Sequence, residues 1–355
     1  METNRRYTLD AQVWRSHDGR TLIGGSDFTI VALDDNQQMV LNQIVSGSYG
    51  YPTGSEAFVR FLSDRNLIQP APVASGASEV AVVIPCRDQR TELSNLLERL
   101  VPEHFTEIVV IDDGSAPPLA ISDGSVRVIR HETSLGPGAA RNAGWRSTSA
   151  EFILFLDADV VTDGRWVSDA VSVLRHSDVA AAAPRVRSIA TEGRPGRWEQ
   201  VRPALDLGAV RGEVRPRTRV PYVPTAALLV RRTALVSVAG FDPSMRLGED
   251  VDLVWRLHDR GWTVRYEPEF EVGHLSRPTV AEWMRQRVTY GRSNVVLADL
   301  HPDHVAGIEL TWWNTAPLLL LARSWILKTV GIAAATAGVL VLRKRLTDRS
   351  EHPWD

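Results

Sequence analysis

Phe152-Ile153-Leu154-Phe155-Leu156-Asp157-Ala158-Asp159 decides the reading of this 355-residue chain. Five apolar residues in succession, embedded in a region of short apolar runs, read as a strand buried on both faces. The run ends on two carboxylates separated by one residue. On an extended backbone these two positions point to the same side, so both can grip one divalent cation where the strand stops. Such a cation neutralises the charge that grows on a departing nucleotide diphosphate. Hard oxygen ligands suit magnesium or manganese. Asp-X-Asp alone arises often by chance, and its weight here comes from its surroundings.

Upstream, Val80-Ala81-Val82-Val83-Ile84-Pro85 is short, rich in β-branched residues and closed by proline, which predicts a buried parallel strand. Leu93, Leu96, Leu97 and Leu100 then share one helix face. Ile108-Val109-Val110-Ile111 and Val126-Arg127-Val128-Ile129 read as strands, and residues 139–146 as a helix. This alternation predicts a Rossmann-like, mostly parallel α/β sheet with ligands at the carboxyl ends of its strands. Asp157 and Asp159 close the fourth strand of that sheet. The second strand runs into Asp112-Asp113-Gly114-Ser115, where a carboxylate can accept the imide proton of a uracil base and a ribose hydroxyl. Asp-Gly is equally a common turn dipeptide. In Gly136-Pro137-Gly138-Ala139-Ala140-Arg141-Asn142-Ala143-Gly144 the glycines allow close backbone approach. A helix starting there offers amides and the positive end of its dipole, with Arg141 in reach of base or phosphates. The same composition suits a helix packed tightly on the sheet.

Downstream, Gly248-Glu249-Asp250-Val251-Asp252 opens a helix with acidic residues, which the dipole favours for structural reasons alone. Chemically, Asp250 is a candidate general base for an acceptor hydroxyl, with Glu249 positioning it or the acceptor. His274, after the strand-like Phe270-Glu271-Val272, is a candidate third metal ligand, although a lone histidine is more often structural. Arg285, Gln286, Arg287 and Arg292, with Tyr290 among them, form a basic cluster. It can hold a diphosphate or acceptor through bidentate arginine contacts, face solvent, or meet anionic lipid.

Lysine plus arginine number 40 and aspartate plus glutamate 43, a net charge of −3, so the basic surplus of a general nucleic-acid binder is absent. With 44% hydrophobic residues, wholesale disorder is excluded. A single cysteine, Cys86, excludes an internal disulfide framework and a cysteine-based zinc site. Residues 1–10 are polar and lack the apolar core of a signal peptide, which places the bulk of the chain in the cytoplasm. Residues 1–70 read as a small winged-helix-like α+β module. In it, short strands at Val13-Trp14, Thr21-Leu22-Ile23 and Phe28-Thr29-Ile30-Val31 precede two helices. The first carries Met39, Val40, Ile44 and Val45; the second begins after Ser55 and carries Phe58, Phe61 and Leu62. A linker follows at 71–79, and the catalytic domain occupies 80–306. Residues 307–345 form an apolar helical segment ahead of a tail, 346–355. Within that segment, 324–342 is long enough to span a bilayer, with Trp312-Trp313 before it, Lys328 near one end and Arg343-Lys344-Arg345 as a basic stop. That pattern fits contact with the inner face of the cell membrane, or a helix packed on the domain.

The order Val83-Ile84-Pro85, Asp112-Asp113-Gly114-Ser115, Gly138 to Gly144, Asp157-Ala158-Asp159 and Glu249-Asp250 resembles the family 2 glycosyltransferases with the GT-A fold. The resemblance covers about residues 80–292. It implies an inverting, single-displacement transfer from a nucleotide-diphospho-sugar. By position, Pro85, Asp112 or Asp113, Arg141 and Asp157 bind the donor nucleotide, Asp157 and Asp159 hold the metal, and Asp250 is the base. A histidine after the base helix is also a metal ligand in related enzymes, which points to His274. The Gln-X-X-Arg-Trp motif of processive members is absent in that form, Gln286 being a degenerate equivalent. A winged-helix-like module ahead of such a domain resembles the mycofactocin-system glycosyltransferases of actinobacteria. That likeness implies transfer of glucose from UDP-glucose onto a peptide-derived redox cofactor, with a peptide partner for the N-terminal module.

Two other chemistries stay open on these residues. The apolar segment near the C-terminus also fits a cell-envelope enzyme acting on a lipid-linked sugar. A nucleotidyltransferase shares the sheet and the carboxylates, but carries a glycine-rich basic loop where this chain reads Pro85-Cys86-Arg87-Asp88-Gln89-Arg90. DNA binding by the N-terminal module has only Arg60 and Arg65 on its helices for phosphate contacts.

Overall fold

The computed structural model describes residues 7–10, 13–25, 29–46, 51–70, 79–103, 105–189, 205–275 and 296–305. The N-terminal part contains β1 (Tyr7–Leu9), β2 (Trp14–Arg15), β3 (Thr21–Gly24), β4 (Thr29–Ala32), α1 (Asp35–Val45), α2 (Glu56–Asp64) and β5 (Ile68–Pro70). Strands β2, β3 and β4 form an antiparallel meander, and β5 returns to pair with β1. Asp34 starts α1 through a capping box: its carboxylate accepts from the Gln37 amide at 2.8 Å, and the Gln37 side chain accepts from the Asp34 amide at 3.1 Å. Val40, Leu41 and Ile44 form the buried face of α1, while Met39, expected on that face, is exposed. Ser55 precedes α2 but makes no side-chain capping bond. These elements share a core of their own, in which Leu22, Leu41, Ile44, Leu62 and Leu67 are fully buried.

The second part contains β6 (Val80–Cys86), α3 (Arg90–Leu100), β7 (Glu107–Asp113), β8 (Val126–His131), α4 (Pro137–Arg146), β9 (Phe152–Leu156) and β10 (Val160–Val161). It continues with α5 (Trp166–Leu174), β11 (Val179–Ile189), β12 (Gly212–Glu213), β13 (Ala227–Arg231), α6 (Arg232–Ser237), α7 (Glu249–Asp259) and β14 (Thr263–Leu275). One nine-stranded sheet runs β8-β7-β6-β9-β13-β11-β14-β10, with β12 also on β14. The first four strands are parallel, as expected. Beyond them the sheet departs from the mostly parallel expectation. Strand β13 runs antiparallel to both β9 and β11, and β10 and β12 run antiparallel to β14, so the sheet is mixed. A strand buried on both faces shows a continuous apolar run whichever way it points, so hydrophobicity carried no direction here.

The alternation along β6 divides the core. Val80, Val82 and Ile84 pack with α3 and α5 on one face, and Ala81 and Val83 with α4, α6 and α7 on the other. Each buried valine or isoleucine contributes about 1.5–3 kcal/mol. Helix α4 lies directly on β6, because a Cβ added to Gly144 would stand 2.2 Å from Cγ1 of Val83. That close seat carries Arg141 to the carboxyl edge of the sheet. A helical stretch at 296–300 puts Leu297 into the same core. The N-terminal part meets the sheet through Asn66, whose Oδ1 accepts from the Glu213 amide at 3.0 Å and from Arg265 at 3.3 Å.

The linker residues 71–78, the basic cluster at Arg285, Gln286, Arg287 and Arg292, and the apolar segment within 307–345 lie outside the described residues. Among the described residues, no helix is long and apolar enough to cross a membrane.

Candidate active site

A cleft of about 1190 Å³ opens at the carboxyl ends of β6, β7 and β9. Pro85, Asp113, Arg141, Asp157, Asp159, Glu249, Asp250 and His274 all line it. The Asp157 amide donates to the Ala226 carbonyl at 2.9 Å, which fixes the turn after β9 against the start of β13. Ala158 points into the core, whereas Asp157 keeps a third of its side chain exposed. Asp159 is brought to His274 by the sheet itself. Val160 pairs with His274 across β10 and β14, and the Leu275 amide donates to the Asp159 carbonyl at 3.2 Å. The Asp159 carboxylate then stands 3.4 Å from Nε2 of His274.

Arg141 joins the turn after β9 to the first turn of α7. Its Nη2 donates to Asp157 at 2.7 Å and its Nη1 to Glu249 at 2.9 Å, with the side chain almost fully buried. Burial alone would pull its pKa down, but the charges of Asp157 and Glu249 outweigh that and raise it. The planar fork of a guanidinium suits such a bridge. Arg141 thus lines the cleft with both of its Nη groups engaged by carboxylates.

Asp250, next to Glu249 on the first turn of α7, accepts from the Val251 amide at 2.8 Å. Burial first, and then the Glu249 charge, push its pKa up to about 7; the Val251 amide and the Arg141 charge oppose this and lose. A carboxylate with that affinity for protons is matched to general-base work near neutrality.

The Asp112-Asp113 pair divides its roles. Asp112 is buried and off the cleft, its carboxylate accepting from the Ser115 amide at 2.9 Å, the Leu119 amide at 3.0 Å and Arg130. It folds the turn after β7. Asp113 lines the cleft, and its oxygens accept from Ser134 Oγ at 2.7 Å and the Leu135 and Gly136 amides at 2.9 and 3.0 Å, beside His131 Nδ1 at 2.8 Å. These bonds hold the entry to α4, and together they lower the Asp113 pKa although burial pushes it up. Cys86 also borders the cleft, with its thiol pushed up to about 11 by burial, so it stays protonated.

Asp159 and His274 form a close oxygen–nitrogen pair at the cleft with Asp157 beside them, a donor set that fits a divalent cation. Asp157, Asp159 and His274 do not converge on one point, because Asp157 is turned to Arg141. The cleft also holds residues that sequence patterns did not single out, among them Ser134, Arg217, Tyr222, Thr225, Arg246 and Trp255. All but Trp255 sit in loops, which have no periodicity to read. Arg246 had the one local signal, standing directly before Leu247-Gly248-Glu249.

Residues 81–237 match the model of glycosyl transferase family 2. The chain is 33% identical over 353 residues to a pre-mycofactocin glycosyltransferase of Mycobacterium tuberculosis, spanning 94% of this chain and 70% of that protein. It is 23% identical over 233 residues to a poly-β-1,6-N-acetyl-D-glucosamine synthase of Staphylococcus aureus, spanning 62% of this chain and 56% of the relative. Among solved structures it is similar to a mannosyltransferase of Pyrobaculum calidifontis in complex with GDP-Man and Mn2+. That likeness has a TM-score of 0.47 and 18% identity, over 81% of this chain and 83% of the other.

Proposed function

This chain belongs to glycosyl transferase family 2, and from that premise we propose that it moves a hexose from UDP-glucose onto a peptide-derived acceptor of the mycofactocin class, with inversion at the sugar carbon. One observation carries the mechanism. Arg141 ties Asp157, on the donor side, to Glu249, beside the candidate base, so both halves of the reaction share one cleft. The 33% identity to the pre-mycofactocin enzyme supports the acceptor class.

In this reading the acceptor hydroxyl gives its proton to the Asp250 carboxylate as its oxygen attacks the anomeric carbon. The bond from that carbon to the β-phosphate oxygen breaks, its electron pair leaves with the nucleotide diphosphate, and Asp250 later returns its proton to water. Asp159 and His274, with Asp157 at their edge, would hold a magnesium or manganese ion that neutralises charge on the departing diphosphate. Glu249 and Arg141 keep Asp250 and the turn after β9 in register. Arg217 and Arg246 line the cleft and bring positive charge for an anionic ligand; Arg285, Gln286, Arg287 and Arg292, outside the described residues, are further candidates for the diphosphate or acceptor. Asp113 and Pro85 border the nucleoside end.

The N-terminal part supplies a peptide-binding reading. Among the described residues strand β4 is an edge of its sheet, and a groove of about 550 Å³ beside it is lined by Val31, Val40, Phe58 and Phe61. An extended peptide adding to that edge would gain main-chain hydrogen bonds and place side chains in the groove.

The test is incubation of the purified chain with UDP-glucose, Mn2+ and either a mycofactocin precursor or a polyprenyl-linked sugar, with products read by mass spectrometry. A hexose increment on the precursor with release of UDP is expected. Transfer to the polyprenyl-linked sugar alone would overturn the acceptor assignment, and release of pyrophosphate in place of UDP would overturn the mechanism.

A further inference from the structure

Helix α7 carries the candidate base at its first turn and a different group of side chains at its last. There Asp259 meets two histidines of the 296–305 segment. Nε2 of His304 lies 2.7 Å from the Asp259 carboxylate. One nitrogen of His301, one of His304 and an oxygen of Asp259 all lie within 4.8 Å of one another, the group of three that gathers so closely among the described residues. The two imidazole planes are 13° apart with centroids 5.6 Å apart, and both rings stand edge-on to Trp255. Another carboxylate of the helix, Asp252, lies 2.9 Å from His301 Nε2 and takes Arg256 on its second oxygen.

Each feature has a chemical reading. Two imidazoles and one carboxylate, with positions left for water, are the donor set of a borderline divalent ion such as zinc. Asp259 is the last residue of α7, where a negative charge faces the negative end of the helix dipole, so a cation there offsets an unfavourable placement. A ligating histidine commonly gives its second nitrogen to a carboxylate that fixes the ring, the relation in which Asp252 stands to His301. His301 and His304 are three residues apart on one turn, closed by the His304 amide donating to the His301 carbonyl at 3.0 Å.

We propose that Asp259, His301 and His304 form a second cation site, of the zinc class, separate from Asp159 and His274. Ligands of a tetrahedral zinc stand about 3.3 Å apart, so the Asp259–His304 pair opens by roughly half an ångström to admit the ion. His304, Val305 and Leu297 line the cleft. The bound ion clamps that wall onto the helix whose other end holds Glu249 and Asp250.

The test uses the full chain without an affinity tag, stripped with EDTA, then titrated with Zn2+ by calorimetry and with Co2+ by visible absorbance. One site is expected that needs no UDP and survives in Asp159→Ala/His274→Ala. Its affinity should fall at least tenfold in Asp259→Asn and in His301→Ala/His304→Ala, with loss of the intense Co2+ bands of a four-coordinate site. Asp259 is surface-exposed, so its asparagine variant decides the matter if the double histidine variant does not fold. Unchanged Zn2+ affinity in Asp259→Asn overturns the proposal, as does a wild-type chain whose Zn2+ binding vanishes wholly with Asp159→Ala/His274→Ala.

Discussion

Replacing Glu249 with glutamine should move the pH dependence of sugar transfer toward acid. Asp250 carries a pKa of about 7 against an ordinary 3.8, burial being the largest cause and the Glu249 charge the next. Glutamine keeps a carbonyl oxygen to accept from Arg141 Nη1, now at 2.9 Å, so the bridge to Asp157 survives while the charge goes. Removing one like charge from a neighbouring carboxyl typically returns about one pKa unit. The acid limb of kcat/KM, which reports the base in the free enzyme, should then fall from about 7 to about 6. The sign follows from the role: a base works only when ionised, so activity rises with pH through its pKa. At pH 6 the ionised fraction of Asp250 grows from about a tenth to about a half, a roughly fivefold gain relative to each enzyme's own plateau. Initial rates of UDP release from pH 5 to 9, with wild type and Glu249→Gln side by side, measure this. An acid limb that stays in place, or moves to higher pH, would refute the assignment of Asp250 as the titrating base under the influence of Glu249.

Four further outcomes are expected. Asp250→Asn should leave UDP-sugar binding intact by calorimetry while lowering turnover by about 10² or more, the usual loss for a general base; equal loss of both would make Asp250 structural. Asp159→Ala and His274→Ala should each weaken Mn2+ binding in the presence of UDP at least tenfold, and an unchanged affinity would remove that residue from the cation site. Arg141→Met leaves two carboxylates facing a lost cation, one of them buried, and should cost about 3 kcal/mol in denaturant unfolding, the low end for a broken buried pair because Asp157 can rehydrate. Gly144→Ala should cost about 1–3 kcal/mol, because the new methyl collides with Val83, and adding Val83→Ala should recover part of that loss.

The parallel half of the sheet was legible because each strand there is a short apolar run closed by chemistry, as in Phe152 to Asp159 or Ile108 to Asp113. What lay beyond was harder for identifiable reasons. Val179 to Ala183 is mostly alanine, a weak strand former, and nothing in the pattern of β13 marks its reversal. The choice between Asp112 and Asp113 turned on parity. Successive strand residues face opposite sides, and Val109 and Ile111 pack on the α4 side, so Asp113 joins them toward the cleft while Asp112 faces away. Arg141 was visible as a candidate, but its partners Asp157 and Glu249 are 16 and 108 residues away, and only the fold spends its charge on them. The same holds for Asp259 with His301 and His304, which no local spacing joins.

The reversal of β13 has a consequence for how such a chain can vary. A parallel strand would present its carboxyl end to the cleft; β13 presents its amino end, so the loop that leads into it, with Tyr222, Thr225 and Ala226, forms cleft wall before the strand begins. The cleft is thus assembled from two kinds of segment: exits from parallel strands on one side, and the entrance to a reversed strand on the other. Changes in the entrance loop can reshape that side of the cleft while Asp157 stays pinned, since its tether is the main-chain carbonyl of Ala226, which any residue at that position retains. The site has one surface that can drift and one that cannot, and the main-chain bond from Asp157 to Ala226 marks where they meet.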